Sequence, residues 1–154
     1  MPGGYYGNNN QNRGQNNYTQ NNRGSYSVPV MNIEAIKLPE RYVDEAEKVI
    51  NEIQDRPITN TKLRKLFGLY TDLYNEVKRN PEIPLDDQQI RILSTARVRM
   101  IYESGREAET ATFIRKAKLL NYLKSVGNNR KEFITFYNYF EALVAYHRFR
   151  CGDK

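Results

Sequence analysis

From position 39 onward, apolar residues recur every three or four places, the spacing that lines one face of an α-helix. Over 39–54, Val43, Ala46, Val49, Ile50 and Ile53 share a side, while Asp44, Glu45, Glu47 and Glu52 carry most of the charge. This first helix is expected to end near Asp55, Arg56 and Pro57, because a proline disfavours helical geometry in the residue before it. A second helix is predicted from Thr59 or Thr61 as N-cap to about 79, burying Leu63, Leu66, Phe67, Tyr70, Leu73, Tyr74 and Val77. Asn80, Pro81 and Pro84 mark a connector. The third helix opens at Asp86 or Asp87 and stops or bends at Gly105, with Ile90, Leu93, Ala96, Met100 and Ile101 turned inward. A fourth is expected over 107–126, with Phe113, Ala117, Leu120 and Leu123 inward and Arg115, Lys118 and Tyr122 sharing another face, until Gly127, Asn128 and Asn129 break it.

The fifth predicted helix, 131–150, is apolar around most of its circumference. Phe133, Phe136, Phe140 and Leu143 form one side, and Ala142, Ala145, Tyr146 and Phe149 the other. Such a helix is central to its bundle or shared with a second subunit. Apart from a short stretch at 26–33, no alternation of strand type occurs. The expected fold is all-α, a compact bundle of about five helices.

Residues 1–27 break the pattern. They hold eight Asn, three Gln, five Gly and four Tyr with almost no aliphatic residue, too little apolar surface to offset the entropy of ordering. The expected organisation is a disordered tail over 1–30 followed by a helical domain over 31–154. The two Arg-Gly dipeptides and spaced tyrosines of the tail suit weak association with RNA or with like tails, and a solubilising leader is the alternative. The segment lacks the apolar centre of a signal peptide, and no stretch reaches the ~18 apolar residues of a membrane span.

Charge sharpens the picture. Of the 154 residues, 24 are basic and 18 acidic, a net +6, and the excess is uneven. Residues 28–87 hold 9 basic and 12 acidic groups, whereas 88–154 hold 13 basic and 6 acidic. A basic half can steer toward phosphates, and an acidic half can meet a basic partner or another copy of the chain. Within 91–106, RILSTARVRMIYESGR, helical projection puts Arg91, Thr95, Arg99, Tyr102 and Arg106 in one line free of acids and flanked by Ile92 and Val98. Solvated faces usually alternate their charges, so a single-sign line containing a tyrosine suits a polyanion; ordinary surface is the alternative.

The chemistry of catalysis is sparse. One cysteine, Cys151, excludes an internal disulfide and a multi-cysteine metal site, consistent with a reducing cytoplasm. The one histidine, His147, falls on the face of Phe133, Phe136, Phe140, Leu143 and Val144, which reads as a core or interface position. No nucleophile triad, phosphate-cradling glycine loop or acidic metal cluster has usable spacing, so no cofactor and no metal are expected. A small helical nuclease using Glu103, Glu107 and His147 would lack clustered acids for a metal.

Three segments carry a resemblance: ITNTKLR at 58–64, RVRMIYESGR at 97–106 and YFEALVAYH at 139–147. In this order and spacing, over about 42–152, the chain resembles the small all-helical Csm-type subunit of type III-A CRISPR-Cas effector complexes. The tail lies outside the resemblance. What it implies is a cytoplasmic, non-catalytic subunit that stacks in several copies beside the backbone subunits and the large polymerase-like subunit, contacting guide RNA and target RNA, with no membrane. Contacts would fall on phosphate and sugar, since a guide complex leaves sequence reading to base pairing.

The candidate RNA-binding residues are Lys62 and Arg64 in the first matching segment, Arg91, Arg99 and Arg106 in the line, Arg115 and Lys118 on the fourth helix, and Arg130 and Lys131 at the start of the fifth. Arg64 lines up with Gly68, Thr71 and Asn75, where the missing side chain of Gly68 would admit a close backbone. Arg97 projects toward the apolar face, so it is expected to be structural, paired with Glu103, Glu141 or an acid of the first helix, with direct RNA contact as the alternative. Glu141 and His147 complete the structural set. An adaptor that binds only proteins, through the acidic first and aromatic last helices, is the competing function.

Overall fold

The computed structural model describes Gly3 and residues 33–152. Six helices follow one another: α1 (Tyr42–Ile53), α2 (Asn60–Val77), α3 (Asp87–Arg106), α4 (Ala108–Ala117), α5 (Leu119–Val126) and α6 (Arg130–Cys151). Among the described residues there is no strand; Ile33 is irregular, and the rest of the 26–33 stretch lies outside them, as does the expected tail. The all-α bundle is present, with one helix more than the sequence pattern gives.

Local chemistry sets most boundaries. Thr59 caps α2 by accepting from the Lys62 amide at 3.3 Å. Asp86 and Gln89 form a reciprocal capping box at the start of α3, with bonds of 2.8 and 3.0 Å, and Asn129 caps α6 through the Glu132 amide. Gly127 and Gly152, both at positive φ, close α5 and α6.

The extra boundary is at Lys118. The predicted 107–126 helix breaks there because Lys118 adopts left-handed geometry, φ 54° and ψ 34°. No local sequence signal marks it. Burial supplies the reason: Leu119, Leu120, Tyr122, Leu123 and Val126 all turn into the core, an arc too wide for one face of a helix continuous with α4. The Tyr139 hydroxyl, donating to the Ala117 carbonyl at 2.8 Å, fastens the joint.

α6 is the central element and packs most extensively against α1 and α2, then α5. Its Phe133, Phe136, Tyr139, Phe140 and Leu143 are fully buried. Phe136 and Phe140 meet Tyr70 of α2, and Phe140 also meets Phe67 and Phe113. Tyr137 stacks on Tyr74 with ring centroids 3.9 Å apart and on Phe67 at 4.8 Å. α3 packs chiefly on α4 and α2, leaving a long outer face in solvent. No described helix is long and apolar enough to cross a membrane.

Candidate nucleic-acid interface

α3 is laid on the bundle by Leu93, Ala96 and Met100, with Ile90 partly buried. One inward expectation fails. Ile101 is 44 % exposed, and the buried positions near the helix ends are filled by polar Gln89, Glu103 and Ser104 instead. Two of these polar groups reach across to α2. Gln89 donates to Glu76 at 3.1 Å, and Glu103 accepts from Lys65 at 2.8 Å, so two polar ties clamp α3 to α2. The Lys65 hydrogen bond, followed by the charges of Lys65 and Arg106, holds the Glu103 carboxyl below the usual carboxylate range despite its burial.

The predicted line lies on the opposite side of the helix. Arg91, Thr95, Arg99, Tyr102 and Arg106 are all exposed. Arg91 and Arg99 have no acid within ion-pair distance among the described residues, and together with Leu69, Gln88, Ile92 and Thr95 they line a shallow groove between α2 and α3. Arg106 is shared: its guanidinium lies 3.7 Å from Glu103 and over the Tyr102 ring at 5.7 Å.

The other candidate cations divide by environment. Arg64, Arg115 and Lys118 are exposed and form no ion pair among the described residues. Lys62 is paired with Glu107 and Lys131 with Glu82 at 3.0 Å, which lowers the charge each offers to a ligand. Arg130 departs furthest from expectation. Instead of projecting outward at the start of the last helix, it is 8 % exposed and its Nη2 donates to Gln89 Oε1 at 3.1 Å, tying α6 to the capping box of α3. The Arg64, Gly68, Asn75 row is exposed on α2, with open space where a Gly68 Cβ would be. Tyr122 does not share the exposed face of Arg115 and Lys118, since its side chain is buried in the core; burial and the nearby Glu45 carboxylate push its hydroxyl up to about 12.

The structural set is placed as follows. Arg97 is half-buried in a cleft with Ile90, Leu93, Ser94, Leu123, Lys124 and Gly127. It pairs with none of the expected acids: Glu103 is occupied by Lys65 and Arg106, and Glu141 is exposed on α6. His147 is fully buried, with Nε2 2.6 Å from the Ile58 carbonyl oxygen, joining α6 to the segment that leads into α2. Glu103, Glu107 and His147 do not form a metal-ligating cluster, and no group of three metal-ligating side chains occurs among the described residues.

The sequence matches the family model for Csm2 Type III-A over residues 37–153. It is 35 % identical over 123 residues to the CRISPR system Cms protein Csm2 of Streptococcus thermophilus, covering 77 % of this chain and 98 % of the relative. The proteins of that name from Mycobacterium tuberculosis and Enterococcus italicus are each 38 % identical, over 92 and 100 residues, spanning 60 % and 62 % of this chain and 74 % and 71 % of theirs. With three quarters of its length matched and the helical bundle in place, the chain belongs to the Csm2 family of type III-A CRISPR systems.

Proposed function

We propose that this subunit of a type III-A CRISPR complex is non-catalytic, stacks in several copies, and contacts the backbone of guide and target RNA through basic residues of α3. The observation that carries the RNA contact is the exposed line on α3, where Arg91 and Arg99 meet solvent with no acid within ion-pair distance among the described residues. Arg64, Arg115 and Lys118, exposed and without an ion pair among the described residues, add charge on α2 and at the α4/α5 joint. Guanidinium and ammonium groups on helix surfaces reach phosphates without reading bases, which suits a complex whose sequence choice is made by the guide. Single contacts of this kind are weak. A row of copies makes later contacts intramolecular, so stacking and RNA contact reinforce each other. Backbone subunits and the large polymerase-like subunit are the neighbours this role requires, in the cytoplasm where guide and target meet.

A protein-only adaptor is favoured by one observation, the exposure of Val98 at 63 % and Ile101 at 44 % on the same helix. Affinity capture of the tagged chain from its native cells separates the two. Co-purification of guide RNA with a large polymerase-like protein, abolished when Arg91 and Arg99 are both replaced by Glu, supports the RNA role. Recovery of the same proteins with RNA content unchanged by those replacements supports the adaptor.

A further inference from the structure

Tyr102 lies in the line of α3 cations and is 59 % exposed, unlike Tyr70 and Tyr139, which the core encloses completely. One turn on, Arg106 sets its guanidinium carbon 5.7 Å from the ring centroid; one turn back, Val98 is 63 % exposed. Arg99, three residues before it, is exposed with no acid in ion-pair range among the described residues. An aromatic ring is thus held at the surface among cations, one of them already oriented by it.

Gly105, three residues after Tyr102, is its neighbour on the helix surface. Its backbone is right-handed helix, so conformation does not require glycine, and a Cβ placed there would meet nothing within 4 Å. Within a helix glycine is less favourable than alanine. Neither backbone conformation nor internal packing requires glycine there, and its bare backbone is open to approach from outside the chain.

We propose that Tyr102 and Gly105 form a stacking site for an unpaired nucleobase of single-stranded RNA, a site that rests on the RNA reading above and extends it from phosphate to base. The phenol ring takes the face of the base, the bare backbone at Gly105 admits the adjoining sugar, and Arg99 and Arg106 flank it for phosphates. Because every base has a π-face, the site is tolerant of sequence and compatible with any guide. It discriminates by strandedness, since bases within an A-form duplex are already stacked on one another.

The test uses the full chain, titrated at low salt with a fluorescently labelled single-stranded RNA and with a duplex of the same sequence. Tyr102→Ala should weaken single-strand binding by at least about fivefold, the usual effect of removing one stacked base, and leave duplex binding within about twofold. Tyr102→Phe should keep the parent affinity. Gly105→Ala should raise the unfolding midpoint and yet weaken single-strand binding, opposite signs that a merely structural glycine would not produce. Parent-like single-strand affinity in Tyr102→Ala, or equal weakening on single strand and duplex, overturns the stacking site and leaves the phosphate contacts standing. Absence of binding by the parent chain to either RNA overturns the RNA reading and the stacking site together.

Discussion

The Nζ of Lys65 lies 2.8 Å from Oε1 of Glu103, so a half-exposed lysine of α2 holds a carboxylate that α3 buries to 11 % side-chain exposure. That bond ties α3 to α2 at a point between Arg99 and Arg106. Since the hydrogen bond from Lys65 lowers the Glu103 pKa on folding, the folded state binds fewer protons than the unfolded chain across the acid range. The stabilisation is complete above the ordinary glutamate pKa and disappears as pH falls through the lower, folded value. Glu103→Gln should therefore destabilise at neutral pH, and the gap from the parent should close once the pH is well below about 4. Urea unfolding midpoints of both proteins across that range check it; a gap constant with pH would mean that the charge on Glu103 is irrelevant.

Lys118 and Tyr139 make a second testable pair. Left-handed geometry costs a non-glycine residue about 1 kcal/mol or more, so Lys118→Gly should stabilise the fold, by up to about 1 kcal/mol after the greater chain entropy of glycine is subtracted. If the Lys118 ammonium also meets phosphate, the same change weakens RNA binding while it stabilises. Tyr139→Phe removes the donor to the Ala117 carbonyl and should cost roughly 1 to 2 kcal/mol. Chemical denaturation measures both, and a destabilised Lys118→Gly would contradict the reading of the joint.

His147 is enclosed by the core, and its Nε2 is the atom facing the Ile58 carbonyl. Replacement by Ala leaves a cavity and a carbonyl without its donor, an expected destabilisation of roughly 2 to 4 kcal/mol. Affinity for RNA, corrected for the unfolded fraction, should be unchanged. A variant as stable as the parent would show that the buried contact contributes nothing.

Periodicity, capping and helix-breaking chemistry are enough to place α1, α2, α3 and α6 to within a few residues, because Pro57, Thr59, Asp86 and Asn129 are residues whose local preferences agree with the fold. The break at Lys118 is illegible in the sequence: lysine is a good helix former, and only the need to turn Leu119, Tyr122 and Leu123 inward forces it out of the helix. The same limit applies to the interface. Exposure of the line from Arg91 to Arg106 follows from helical projection alone, since each member is set by its angle about one axis. Arg130, Lys62 and Lys131 are engaged by residues distant in sequence, respectively Gln89, Glu107 and Glu82, which no projection of a single helix reveals.

The central claim is that α3 meets the RNA backbone, and the salt dependence of RNA binding by the parent and by Arg99→Glu tests it most directly. Removing one phosphate-binding cation should reduce the slope of log K against log salt by roughly 0.7 on a single strand, so the variant should bind more weakly at low salt, with a shallower slope and no change in sequence preference. Identical affinity and slope in parent and variant would contradict the account.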